Sequence, residues 1–261
     1  MEATERFAQL MAGPEPAAHP DLAALLIAAH ARPDLLLSIE EARLDALAEG
    51  CREPTLDGLR RHLFDDLGYR GNDREYHDPR NSYLDQVVQR RVGIPISLSV
   101  LMIGVGRRLG VPLVGVGMPG HFLVGDVVDR DVFVDPFAGG AVLDARGCER
   151  IFRDLQGPGS GFHPSFLQPT GNHAVAARML ANLKQIFTAR SDPRSLTWVL
   201  NLRTLVPGVP AEERAELASA LVALGSFGPA ADAMRSLAHL SSGDAAERHA
   251  ATATRLRARL N

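Results

Sequence analysis

From residue 21 to residue 71 the apolar positions recur at helical spacing, in three runs separated by Pro and Gly. Asp21 stands before "LAALLIAAHA", where it can cap a helix that Arg32-Pro33 ends. "SIEEARLDALAEGC" opens with Ser38 and carries Glu41 three residues on, a capping-box spacing. Its Ile39, Ala42, Leu44, Leu47 and Ala48 make one apolar face. "TLDGLRRHLFDDLGYRG" reads as a third helix, closed by Gly68 or Gly71. Ahead of them, "MAGPEPAAHPD" is a Pro/Ala/Gly-rich break after a short N-terminal turn.

Further on the pattern changes. Ser82-x-x-Asp85 marks the start of a short helix that runs to Arg91. Pro95 suits the first turn of the next helix, where its missing N–H costs nothing. That helix is apolar almost all round from Ile96 to Val105, so it belongs in the centre of a core. Arg107 and Arg108 read as its solvated last turn, and Gly110 as its end. "VPLVGVG" is then a strand, and residues 117–140 form two short strands joined by a turn, completing a small antiparallel sheet. Helices followed by strands, without regular alternation, indicate an α+β fold.

"GPGSGFHPSFLQPTG", residues 157–171, interleaves Gly and Pro and reads as a linker. Beyond it the pattern is helical only. Trp198 and Phe187, with the Leu and Met around them, suit the core of these helices. "ALVALGSFGPAADAMRSL" looks like a degenerate tetratricopeptide repeat, a unit that must pack on neighbours to bury its apolar face. The organisation expected is therefore an α+β domain over 1–156, a linker over 157–171 and an all-α extension over 172–261.

Composition narrows the function classes. The 261 residues carry 28 basic and 31 acidic side chains for a formal charge of −3, with Lys184 the one lysine. No run of one sign suggests nucleic acid or an anionic membrane as partner. No stretch reaches the roughly 20 apolar residues that span a bilayer. Met1–Ala12 lacks the apolar core of a secretory signal, so a cytoplasmic protein is expected. Cys51 and Cys148 make neither a disulfide framework nor a zinc site, and read as inert buried thiols. No metal-ligand spacing is present, and the glycines of "GVGMPG" lead into a strand rather than a helix, so no cofactor is expected.

One arrangement carries chemistry. A papain-like hydrolase or acyl transferase needs a nucleophile at the N-terminus of a buried helix, a histidine on a neighbouring strand, and a carboxylate or amide to orient that histidine. The chain supplies the helix, then His121 after "MPG", then Asp135 at the end of the following strand. Each has a bland reading as well. A strand histidine can be satisfied by a backbone carbonyl or by Asp135, and Asp135 can cap the turn made by Pro136. Asn81, Ser82 and Tyr83 suit helix capping and packing, or the wall of a cleft.

The run "GNDREYHDPRNSYLDQVVQRRVGIPISLSVLMIGVGRRLGVPLVGVGMPGHFLV", with "VFVDPFAGG" after it, resembles the transglutaminase-like superfamily. Within it the resemblance is to the SirB-one branch, bacterial proteins that join such a domain to C-terminal tetratricopeptide-like helices. It covers roughly residues 20 to 155, and more loosely the helices beyond. It implies a papain-like fold with His121 and Asp135 at the second and third positions of a Cys–His–Asp triad. The superfamily's cysteine position falls near Pro95–Ser97, where no cysteine stands; Ser97 is the nearest nucleophile, and otherwise a helix-start hydroxyl bonding a free N–H. Two functions follow as expectations. One is a non-catalytic binding or regulatory protein whose cleft takes a protein or peptide partner. The alternative is an amide- or ester-bond hydrolase or acyl transferase with Ser97 as nucleophile, His121 as base and Asp135 as orienter.

Overall fold

The computed structural model describes residues 3–260. Its helices are α1 (Ala3–Ala12), α2 (Pro20–Ala31), α3 (Leu37–Glu49), α4 (Leu56–Arg60), α5 (Leu84–Arg90), α6 (Pro95–Leu109), α7 (Ala145–Gln156), α8 (Asn172–Ala189), α9 (Pro193–Arg203), α10 (Glu213–Ala223), α11 (Phe227–Leu240) and α12 (Gly243–Arg257). Its strands are β1 (Arg70–Gly71), β2 (Val92–Gly93), β3 (Leu113–Val116), β4 (Leu123–Asp126), β5 (Phe133–Asp135), β6 (Ala141–Leu143) and β7 (Pro169–Thr170). The chain divides into two compact units. One is Gly13–Met179, and the other combines the residues up to Ala12 with those from Leu180 onward. The division falls inside α8, and the 157–171 segment lies wholly in the Gly13–Met179 unit, where it supplies β7 to the sheet.

In the Gly13–Met179 unit, α6 is the central element. Every residue from Pro95 to Gly106 is buried, as its all-round apolar pattern requires. Pro95 occupies the first turn, and Gly110 ends the helix at φ 74°, a left-handed conformation that glycine adopts without strain. Five strands form an antiparallel sheet in the order β6-β5-β4-β3-β7, so the expected hairpin is its middle and two further edge strands extend it. Val116, Leu123 and Phe133 of the sheet join Met118, Cys148 and Phe152 in one apolar cluster. β1 and β2 make a separate parallel pair that leads into α6.

Several local expectations are corrected. Asp21 does not cap α2, whose N-cap is His19 without a side-chain bond. Instead its buried carboxylate takes Arg107 at 3.0 Å and Arg108 at 2.6 Å. Those arginines are therefore one side of an ion-pair network and not a merely solvated helix end. Burial acts to push the Asp21 carboxyl up, but the guanidinium bonds outweigh it and hold it below the usual range. Ser38 lies inside α3, which starts at Leu37 with Leu36 as N-cap, so its capping box does not form. The third run is α4 followed by a π-helical turn over Arg61–Asp66, and Thr55 Oγ1 caps it by accepting from Gly58 N. Tyr83, not Ser82, is the N-cap of α5, and the buried Ser82 hydroxyl has no partner among the described residues.

The other unit is helical among the described residues. The N-terminal segment expected as a short turn is the ten-residue α1, which packs on α9. α10, α11 and α12 pack consecutively around Ala218, Ala230, Met234, Leu237 and Ala253. Leu200, Leu217 and Ala220 join α9 to α10, and Trp198 meets Phe187 edge-on at 6.0 Å. The Glu213 carboxylate takes two bonds from the Arg203 guanidinium, each at 2.5 Å.

Candidate functional site

His121 follows a tight turn. Its N–H donates to the Met118 carbonyl at 3.0 Å, and Gly120 between them sits at φ 79°. The turn delivers His121 two residues ahead of β4, and Asp135 ends β5. The antiparallel register Val124↔Val134 sets these two ends side by side. His121 Nε2 lies 2.9 Å from Asp135 Oδ2, with both side chains buried. An ionised carboxylate only accepts, so Nε2 carries the proton in this bond and Nδ1 is left as the ring's second nitrogen. Asp135 Oδ1 meanwhile accepts from Phe137 N at 3.0 Å and Ala138 N at 3.2 Å. One oxygen caps the turn and the other holds the imidazole, so the two readings open in the sequence coexist. Phe137 packs edge-on to the His121 ring at 6.2 Å and also to Tyr76 at 6.0 Å.

Ser97 lies in the first turn of α6 and is fully buried. Its hydroxyl donates to the Asn81 carbonyl at 2.6 Å and accepts from Ile94 N at 3.0 Å. The single proton has two backbone carbonyls in reach, Asn81 at 2.6 Å and Ile94 at 3.1 Å, and the interaction with His121 that a serine nucleophile needs is not among these bonds. Room for this hydroxyl comes from Gly93, where a Cβ would stand 2.7 Å from Ser97 Oγ. Ser99 is equally buried, its hydroxyl 3.5 Å from the Phe122 carbonyl, too long to count for much. Asn81 is the hub of the facing loop. Its amide nitrogen donates to the carbonyls of Glu75 (2.7 Å) and Tyr76 (3.3 Å), and its amide oxygen accepts from Asn72 (3.1 Å) and Arg90 (3.2 Å).

Arg178 on α8 is the residue that sequence reasoning missed. Its Nη2 donates to the carbonyls of His121 (2.6 Å) and Met118 (2.9 Å), clasping both ends of the turn that presents the histidine. The guanidinium also lies over the Phe122 ring at 5.3 Å. In the sequence it is one arginine on an amphipathic helix, with nothing to distinguish it. The two cysteines are free and buried, and burial pushes the Cys148 thiol up to about 12. Among the described residues no group of three His, Cys, Asp or Glu converges to hold a metal ion, and no helix is long and apolar enough to cross a membrane. A cleft of 640 Å³ borders Phe137 and is lined by Arg70, Asn72, Arg74 and Arg90 among others.

Two adjacent strands thus deliver a histidine–aspartate pair beside a buried helix. Residues 27–181 match the family described as the transglutaminase-like superfamily. The chain is 41% identical over 202 residues to a UPF0162 protein of Xylella fastidiosa (strain 9a5c), covering 72% of each. It belongs to the UPF0162 proteins of the transglutaminase-like superfamily. A UPF0162 protein of Vibrio cholerae is 31% identical over 189 residues, 69% of this chain and 68% of that one. A shorter stretch of 106 residues is 39% identical to mouse F-box only protein 21 and covers 17% of it. No solved structure matches the chain. For the transglutaminase-like unit the matched range takes in His121, Asp135, Ser97 and Arg178 together.

Proposed function

We propose that this UPF0162 protein is a non-catalytic binding or regulatory protein, in which a papain-like His121–Asp135 pair stands without a nucleophile. The observation that carries this reading is the Ser97 hydroxyl, buried and donated to the Asn81 carbonyl at 2.6 Å. A nucleophilic serine must present its hydroxyl to a general base. Here that hydroxyl braces the loop of residues 72–83 against the first turn of α6. Pro95, which opens the helix, has no ionisable side chain to take over.

The partner is then a protein or peptide held near His121, Tyr76 and Phe137. The C-terminal helices form a tetratricopeptide-like extension of the SirB-one kind, giving a partner surface or bracing their own unit. The F-box only protein 21 match, confined to 106 residues of a much longer protein, supports a module that works inside different chains. The experiment is labelling with a serine-reactive phosphonate probe, comparing the unaltered chain with His121→Ala. No covalent adduct is expected on either. An adduct on Ser97 that disappears in His121→Ala would establish the hydrolase or acyl transferase alternative instead.

A further inference from the structure

Buried charges in this protein come with counter-charges. Asp21 has Arg107 and Arg108, Asp85 has Arg32, and Glu213 has Arg203. Arg178 is different. Its guanidinium is half-buried, and its two hydrogen bonds to protein both go to neutral carbonyls through Nη2. Among the described residues no carboxylate pairs with it, and nothing accepts from its Nη1 or Nε. Desolvating a cation without an opposing charge is costly, so proteins keep such groups where something supplies the missing charge.

The surroundings of Arg178 have spare hydrogen-bonding capacity of a matching kind. Tyr76 is 39% exposed, its hydroxyl donates to no acceptor among the described residues, and its ring is joined to the His121 turn through Phe137, which it meets edge-on at 6.0 Å. His121, whose carbonyl Arg178 holds, keeps Nδ1 unengaged among the described residues, a lone pair open to a peptide N–H while Nε2 carries the ring proton. Phe137, in edge contact with both Tyr76 and His121, supplies an apolar wall. We infer that Arg178 and Tyr76 form a subsite for one carboxylate of a peptide ligand, with His121 Nδ1 beside it to accept from the ligand's N–H, the ligand providing the counter-ion that the protein withholds. A single guanidinium matches the single charge of a carboxylate. The inference rests on the proposed binding function and names the chemistry of what is bound.

The test is a titration of the full chain followed by NMR of the Arg178 and His121 side chains. The probes are acetyl-glutamate amide, its glutamine analogue, and acetyl-alanine with a free terminal carboxylate. Saturable shifts are expected with carboxylate probes, at an affinity about tenfold above the glutamine analogue. Preference between the two acids tells a side-chain carboxylate from a chain end. Tyr76→Phe, which removes only a hydroxyl, should weaken binding about threefold, and Arg178→Gln should abolish it. Should Arg178→Gln fail to fold, the Tyr76→Phe and glutamine comparisons still decide. Equal binding of the glutamine analogue, no saturable shift, or undiminished binding by Tyr76→Phe would overturn the subsite. Failure here leaves the phosphonate result untouched, and a Ser97 adduct would sink the non-catalytic reading without altering which probes bind.

Discussion

The Ser97 hydroxyl donates to the Asn81 carbonyl at 2.6 Å while accepting from Ile94 N, so one side chain ties a loop to the start of the central helix. Ser97→Ala would leave a buried N–H and a buried carbonyl short of a partner. Each such loss costs about 1–3 kcal/mol. Urea unfolding followed by far-UV circular dichroism should therefore show a midpoint shift without loss of the native spectrum. Stability unchanged by the substitution would mean the hydroxyl is not a brace.

Gly93 is coupled to the same hydroxyl. A Cβ there would stand 2.7 Å from Ser97 Oγ and 3.1 Å from Leu98 Cγ. Gly93→Ala should destabilise by displacing the serine, and Gly93→Ala with Ser97→Ala should cost less than the two single changes added together. A coupling of about 0.5 kcal/mol or more in the double-mutant cycle is expected. Strict additivity would place the strain of Gly93→Ala elsewhere.

Asp135 holds the His121 Nε2 proton with one oxygen and two turn N–H groups with the other. Asp135→Asn can keep the turn bonds through its amide oxygen, but then presents N–H to the ring. The neutral imidazole should respond by moving its proton to Nδ1. Nitrogen-15 chemical shifts of His121 read the tautomer directly: Nε2–H in the unaltered chain, Nδ1–H in Asp135→Asn. The same tautomer in both would show that the carboxylate does not set it.

The network of Asp21 with Arg107 and Arg108 predicts an acid-sensitive contribution. The folded carboxyl lies below its ordinary value of 3.8, so the stabilisation is fully present above that pH and disappears as pH falls through the lower folded value. Asp21→Asn should cost roughly 2–4 kcal/mol at neutral pH, because Arg108 loses its buried partner. The difference between the two proteins should shrink as the pH is taken below that ordinary value. A pH-independent difference in urea stability would contradict the assignment.

Cys148 is fully buried and its thiol is pushed up to about 12, first by burial and then by Asp144 and Asp135. It should resist a disulfide-exchange reagent at neutral pH until the chain unfolds, since the thiolate is the reacting form. Fast modification in native buffer, mapped to Cys148 by mass spectrometry, would be inconsistent with this environment.

Periodicity makes much of this architecture legible in the sequence. The buried α6, its Pro95 start and Gly110 end, and the β4–β5 pair that brings His121 and Asp135 together all follow from local pattern. What escapes depends on distant neighbours. Asp21 sits at a perfectly good capping position, yet arginines from another helix claim its carboxylate. Ser38 and Ser82 carry cap spacings that packing overrides. β6 and β7 are two or three residues long, too short to show alternation. Whether Ser97 faces a cleft or a core depends on Asn81, sixteen residues away, and Arg178 gains its place only through the two carbonyls it holds.

The most direct measurement is the position of one oxygen in a high-resolution crystal structure of the unaltered chain. Ser97 Oγ is predicted within hydrogen-bond reach of the Asn81 carbonyl and Ile94 N, with His121 Nδ1 turned to solvent or ligand. Ser97 Oγ within about 3.5 Å of His121 Nδ1, facing an open cleft, would contradict the non-catalytic reading and restore the serine as a nucleophile.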